Sequence, residues 1–409
     1  MSTPALRGVP APLRADEVAR AYAPFEQARM LPPAAYTSPE VLDWEQANIF
    51  SGWMCVATAD KLPRVGSQLS VQTGAGGVLL VRDEDEQIRA YANYCRHRAH
   101  ELIPCGGTAQ RRSIVCPYHA WSFKLDGGLR NAPGFRDVAG FDKSEFGLVP
   151  IAVTDWHGWI FVDPSGDAGD FDDHVRDLES VVAPYRPEEL RTVATHSYEI
   201  AANWKVIIEN YQECYHCPSI HPELCRVSPP DSGENVDTDG EWIGGWMDLD
   251  DRAQTMSLDG RSGGVPIPGL DETRMRTVMY AVCFPNILIS LHPDYVMTHT
   301  LRPLTPESTF VECSWAFPVA AAERAGFDGA YAVDFWDLTN RQDWTACESV
   351  QRGLASPFAI AGPLAPDEDG VYQFIRRMGR AYAGLGPDPE QRPSITTDTA
   401  EVPVADGHV

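Results

Sequence analysis

Apolar and polar positions alternate in short runs between Trp53 and Asp163, a β texture, and helical periodicity frames that stretch on both sides. Ala15 to Ala23 predicts a short helix stopped by Pro24, and Ser38 is placed to cap a helix running through Ile49. Strands are expected at Ser67–Thr73 and Val78–Arg82 around the turn Gly74-Ala75-Gly76-Gly77, and at Ile88–Asn93 after the acidic turn DEDEQ. Trp121–Leu125, the turn Asp126-Gly127-Gly128 and the next short segment make a further hairpin, and Gly158–Asp163 ends the region. An acidic, loop-rich linker follows Pro164-Ser165-Gly166-Asp167. Beyond it a strand is expected at Thr192–Ile200, a helix at Asn203–Tyr215 and a long glycine-rich loop or lid from Ser228 to Gly269. Strands Arg274–Cys283, Ile287–Leu291 with its continuation to Leu301, and Thr309–Pro318 come next, and a helix from Phe327 to Leu354 closes the domain. The chain therefore divides into a helical lead-in at 1–50, a β domain at 51–165, a mixed domain at 166–384 and a polar tail at 385–409 expected to be flexible.

The 409 residues carry 33 Lys and Arg against 58 Asp and Glu, a net charge of −25. Such a surface repels phosphates, which argues against nucleic acid as a partner. No apolar stretch approaches the roughly 18 residues that a membrane span needs, so no membrane association is expected. The N-terminal residues lack the apolar core of a secretory signal. Eight of the ten cysteines (two belong to the motif below) show no framework spacing, so they are expected to stay unpaired in a reducing cytoplasm.

Cys95-x-His97 is followed, after eighteen residues, by Cys116-x-x-His119. Two thiolates and two imidazoles in paired short loops, CRHRAH and CPYHAW, match the ligand set of a Rieske [2Fe–2S] cluster, Cys95 and Cys116 on one iron and His97 and His119 on the other. A zinc finger would pair its cysteines before its histidines, and the alternation here does not.

A second metal site is suggested by His216 and His221, five residues apart. On an unbroken helix they would point about 140° apart, but Pro218 and Pro222 let the chain turn and bring both rings to one point. Two histidines and one carboxylate form the facial triad of mononuclear non-haem iron. For the carboxylate, Trp336, Asn340, Asp343 and Cys347 form one stripe of the closing helix, with Asp343 as its acid. Asp334, Asp337 and Glu348 compete with it.

At this point a resemblance becomes specific. ENYQECYHCPSIHPEL at Glu209–Leu224 resembles the iron motif of Rieske non-haem iron oxygenase α subunits, and QDWTACESVQRG at Gln342–Gly353 resembles their carboxylate-bearing helix. The resemblance covers most of Trp53–Leu354 and implies an α+β fold: a small antiparallel β Rieske domain plus a helix-grip catalytic domain, an antiparallel sheet around a long helix. It implies that 1–50 packs on the catalytic domain, that Asp343 completes the iron triad, and that the protein assembles as a head-to-tail homotrimer. Ring-hydroxylating members usually carry Asp where this chain has Glu213. Glu213 followed by Cys-Tyr-His looks like the branch acting on quaternary ammonium compounds such as glycine betaine, carnitine, choline and stachydrine. In the family that carboxylate is the electron-transfer bridge from iron site to cluster.

The implied activity is O₂-dependent hydroxylation and N-demethylation of a small quaternary ammonium compound. No G-x-G-x-x-G follows a strand and opens a helix, so electrons from NAD(P)H must arrive through a separate flavin or iron–sulfur reductase. A trimethylammonium group is recognised by aromatic faces, which makes Trp242, Trp246, Tyr280, Phe284, Tyr295, Trp315 and Trp336 candidates for the substrate pocket. Arg252, Arg261, Arg274 and His299 are candidates for meeting a substrate carboxylate. The alternatives are an aromatic ring-hydroxylating dioxygenase and a Rieske electron carrier fused to a binding domain. The second would leave His216, His221 and Asp343 unexplained.

Overall fold

The computed structural model describes residues 8–386 of the chain. The expected tail lies, from residue 387 on, outside the described residues. Helix α1, Pro39–Asn48, starts as the sequence predicts: the Ser38 hydroxyl accepts from the Val41 amide at 3.3 Å, and Pro39 takes the first helical position, where no amide is needed. The helix expected at 15–23 shrinks to Ala15–Val18.

The β domain is built on a seven-stranded antiparallel sheet. Ser67–Thr73 pairs with Gly76–Arg82, which pairs with Ile88–Ala92. A three-stranded sheet of Ile114–Val115, Ser122–Phe123 and Leu129–Asn131 covers it. Leu79, Val81, Tyr91, Trp121 and Phe123 fill the space between them. The Asp126-Gly127-Gly128 turn needs its glycine, since Gly127 sits at φ +84° and a Cβ there would lie 2.5 Å from the Tyr91 ring.

The second sheet also has seven antiparallel strands, running in space from Leu190–Ile200 through Ser308–Pro318, Val296–Thr305, Ile287–Leu291, Thr277–Cys283 and Trp242–Asp248 to Glu234–Asn235. Two sequence expectations fail here. The stretch 228–269 is not simply a loop, because Trp242–Asp248 pairs along its whole length with Thr277–Cys283. Its glycines hid the strand: a Cβ on Gly244 would meet the Tyr280 carbonyl oxygen at 2.3 Å, so they serve close backbone approach rather than a turn. The run 287–301 is not one continuous strand but a hairpin turning at 292–295.

Helix α2, Trp204–Tyr211, capped by the Asn203 side chain, packs against the long helix α3, Ala330–Leu354, beside the second sheet. A further helix, α4 at Asp369–Tyr382, was not expected and packs on α2. Residues of the lead-in are wired into this domain. The buried Glu45 carboxylate receives Lys205 Nζ at 2.6 Å and Trp204 Nε1 at 2.8 Å, and Tyr382 also donates to it. The fold is thus mixed helix and antiparallel sheet in two parts, and no helix among the described residues is long and apolar enough to cross a membrane.

Candidate metal centres

The two Cys/His loops are closed by the same backbone hydrogen bonds. Cys95 N donates to His100 O at 2.8 Å and Ala99 N to Cys95 O at 2.9 Å; Cys116 N donates to Trp121 O at 2.8 Å and Ala120 N to Cys116 O at 3.1 Å. Each loop turns on an alanine with positive φ, +53° at Ala99 and +57° at Ala120, a conformation that costs a non-glycine residue energy and clusters at functional sites. The result brings Cys95 and Cys116 together in the interior and sets the His97 and His119 rings 4.7 Å apart. Trp121 stacks on His97 at 5.0 Å and fixes its plane, and His97 Nδ1 is a buried atom with no hydrogen-bond partner. Two buried sulfurs facing two imidazoles, one with an orphaned nitrogen, fit the donor set of a Rieske cluster. His119 lies at the exposed tip beside Tyr118.

In the larger domain, α2 ends at Tyr211 and a short helical turn, Cys217–Ile220, folds the chain back. That turn brings His216 Nε2 to 3.1 Å from His221 Nε2. Asp343, projecting from α3, places Oδ1 at 2.8 Å from His221 Nε2 and 3.4 Å from His216 Nε2. The other nitrogens are engaged: His216 Nδ1 with Glu213 Oε1 at 2.6 Å, and His221 Nδ1 with Gln342 Oε1 at 2.7 Å. With acceptors on both Nδ1 atoms, each ring in its neutral form carries its proton there and turns an Nε2 lone pair inward. Two lone pairs and a carboxylate oxygen then converge on one point, an arrangement that calls for a cation and fits a 2-His-1-carboxylate site.

The electrostatics agree. Burial opposes charge on His216, but hydrogen bonds with Asp343 and Glu213 outweigh it and hold its pKa at about 9, so near neutral pH a proton on Nε2 supplies the positive charge that a metal ion would replace. Burial likewise opposes charge on Asp343, and the two histidines win and hold it below the usual carboxylate range. Of the competing acids, Asp334 is exposed, Asp337 accepts from Tyr198 at 2.6 Å and Glu348 from the Ala201 amide at 3.3 Å. Gln342 was missed by sequence reasoning, although it immediately precedes Asp343 and so lies on the adjoining helix face. The expectation of unpaired cysteines fails at Cys214 and Cys217, which form a disulfide bracketing His216; their three-residue separation was too short to read as a framework.

His216, His221 and Asp343 open onto a cavity of about 690 Å³. Of the aromatic candidates, Trp246, Tyr280 and Trp336 line it, joined by Tyr211 and Trp344, which the sequence reading did not single out. The other four lie elsewhere. Trp242 is buried and donates to Asp177, Phe284 stacks on Phe374 beneath the Arg377 guanidinium, and Trp315 packs edge-on against His196. Tyr295 stands behind the wall, its hydroxyl accepting from Trp336 Nε1 at 2.7 Å. These four pack in the sheet interior, where large aromatic area is buried. His299 also lines the cavity, whereas Arg252, Arg261 and Arg274 do not. Burial pushes the His299 pKa down to about 4, so the ring is neutral.

Comparison with known proteins places each half of the chain in a family. Residues 52–142 match the Rieske [2Fe-2S] domain family, and residues 187–384 match the ring hydroxylating alpha subunit (catalytic domain) family. The chain belongs to the Rieske non-haem iron oxygenases, as an oxygenase subunit whose cofactors are a Rieske [2Fe–2S] cluster and a mononuclear iron. It is 30% identical over 375 residues to the glycine betaine monooxygenase oxygenase subunit of Pseudomonas aeruginosa, covering 84% of this chain and 87% of that protein. It is 36% identical over 200 residues to the carnitine monooxygenase oxygenase subunit of Escherichia coli, covering 48% of this chain and 53% of that one. The crystal structure of the quaternary ammonium Rieske monooxygenase CntA with its substrate gamma-butyrobetaine superposes with a TM-score of 0.72 at 26% identity, over 90% of this chain and 99% of that one.

Proposed function

We propose that this chain is the terminal oxygenase that hydroxylates and N-demethylates a small quaternary ammonium compound, using O₂ and electrons from NAD(P)H passed through a separate reductase. In this reading Cys95, Cys116, His97 and His119 hold the cluster, and His216, His221 and Asp343 hold the mononuclear iron. When bound, the cluster supplies electrons one at a time and the iron supplies dioxygen activation.

The chain's own residues do the rest. Gln342 and Glu213 fix the two imidazoles by their outer nitrogens, setting ring orientation and keeping Nε2 free. The aromatic faces of Trp246, Tyr280 and Trp336 attract a cationic head that offers no N–H to donate. One oxygen atom enters a C–H bond of an N-methyl group, and the other leaves as water with two electrons and two protons. The C–N bond of the resulting N–CH₂OH group then breaks. The nitrogen keeps the electron pair, formaldehyde departs and the hydroxyl proton goes to solvent.

The observation that carries this reading is the opening of the converging triad onto an aromatic-walled cavity. It is supported by relatives named for quaternary ammonium substrates. We place the protein in the cytoplasm, where a nicotinamide-dependent reductase is available, and as a head-to-tail homotrimer. Tyr118 beside His119 is 53% exposed and Tyr215 beside His216 is 60% exposed, so each tip is open to meet a second copy. There Glu213 would bridge His216 to a cluster histidine of the neighbour.

Single turnover of chemically reduced, iron-replete protein with O₂ and a panel of quaternary ammonium compounds tests the activity. Formaldehyde is expected with at least one of them. Its absence from protein verified to hold both centres would turn the reading toward aromatic substrates.

A further inference from the structure

The cavity wall is one-sided in charge. Beyond Asp343 it carries the half-buried Glu213 and Asp369 and the exposed Asp231, Glu234 and Asp367, and among the described residues no Lys or Arg. A substrate carboxylate would therefore be drawn out of water with no Lys or Arg to meet it, facing several charges of its own sign and leaving the iron, already neutralised in part by Asp343, as the one positive centre. The remaining polar atoms on the wall without partners, Tyr280 OH, Trp344 Nε1 and Gln212 Nε2, are donors that bring no charge to balance a carboxylate.

His299 adds the independent clue. It is 3% exposed, and its Nε2 faces Asn340 Oδ1 at 3.1 Å, an acceptor, so the ring proton sits on Nε2. Nδ1 is left as a buried lone pair with no partner, on a residue of the cavity wall. A lone pair accepts from a hydroxyl and repels a carboxylate oxygen.

Resting on the quaternary ammonium reading above, we infer that the site is built for a quaternary ammonium alcohol. Such a ligand is a net cation whose hydroxyl donates to His299 Nδ1, in contrast to a carboxylated betaine. The acidic wall attracts the net cation, the aromatic faces hold its head, and His299 fixes the other end.

The test is calorimetric titration of the iron-loaded protein, without O₂, with choline, glycine betaine and tetramethylammonium. Choline is expected to bind about tenfold or more tighter than glycine betaine, and tighter than tetramethylammonium, a tenfold difference being about 1.4 kcal/mol. His299→Phe is expected to erase the margin of choline over tetramethylammonium while tetramethylammonium still binds. Glycine betaine binding as tightly as choline, with tetramethylammonium also bound, overturns this inference and leaves the quaternary ammonium reading standing. A choline margin that survives His299→Phe overturns it too. Binding of none of the three overturns both. Should His299→Phe fail to fold, the ranking of the three ligands by the unaltered protein decides.

Discussion

The two candidate centres are held by different means. The cluster loops are shaped by main-chain hydrogen bonds and two strained alanines, with the histidine end turned toward solvent. The triad is shaped by side chains from two distant helical segments, each imidazole gripped by a second residue and the open side turned toward a cavity. The first geometry suits a group that exchanges electrons with partners, the second one that must receive a substrate away from water. Backbone-built and side-chain-built sites also fail differently when residues are changed.

The largest effect tests whether the two sites are independent. Asp343→Ala removes the carboxylate that α3 contributes to the triad. It is expected to lose one of about three irons per chain and all formaldehyde release, while the visible spectrum of the cluster persists. Cys116→Ser is expected to do the reverse, keeping the mononuclear iron and losing the spectrum. Iron analysis and absorbance on both variants decide the matter, and loss of both centres in either variant would break the distinction.

A smaller effect sharpens it. Gln342→Ala leaves His221 without its outer hydrogen-bond partner and should weaken binding of the mononuclear iron by about 10- to 100-fold, read by competition with a chelator. The corresponding change in the cluster loops is a backbone one. Ala99→Val puts a β-branched residue at positive φ and should cost about 1–3 kcal/mol of stability. Ala99→Gly should be tolerated or slightly stabilising, measured by thermal melting of the cluster absorbance. Equal sensitivity of the two alanine variants would mean that the loop backbone is not what holds the cluster.

The same contrast explains how far the sequence could be read. The convergence of Cys95, His97, Cys116 and His119 was legible because a backbone-built site draws its residues from two short loops with a recognisable spacing. His216 and His221 were readable as a pair because they stand five residues apart around two prolines, and Asp343 required the stripe on a distant helix together with the family resemblance. Gln342, Tyr211 and Trp344 act by where they meet other elements, and nothing in local spacing marks that. Trp242–Asp248 was hidden because its glycines read as loop while in space they admit a neighbouring strand. Trp242, Phe284, Tyr295 and Trp315 show the converse limit: residue type suggested a cation-binding wall, and the sheet interior used them as packing.

The smallest effect lies beneath the side-chain-built site. The space under the cluster loops is filled by Leu79, Val81 and Phe123, whereas α2 carries a buried carboxylate, Glu209, that accepts from Tyr36 OH at 2.6 Å. Burial raises its pKa from 4.5 to about 8, against the opposing pull of Tyr36 and Lys205. The unfolded chain gives up this proton near 4.5 and the folded one keeps it to about 8. Between those values the folded state binds more protons, so this group's contribution to stability is full below about 4.5 and is lost as pH rises toward 8. The slope from one group is at most about 1.4 kcal/mol per pH unit. Glu209→Gln keeps an oxygen to accept from Tyr36 and cannot ionise. It should therefore flatten the fall in melting temperature between pH 5 and pH 8 and leave the variant the more stable of the two above about pH 8. Parallel melting curves for variant and parent across that range would show that the proton on Glu209 is not held by the fold, and that the ground beneath the iron site is no more polar in its energetics than the apolar core beneath the cluster.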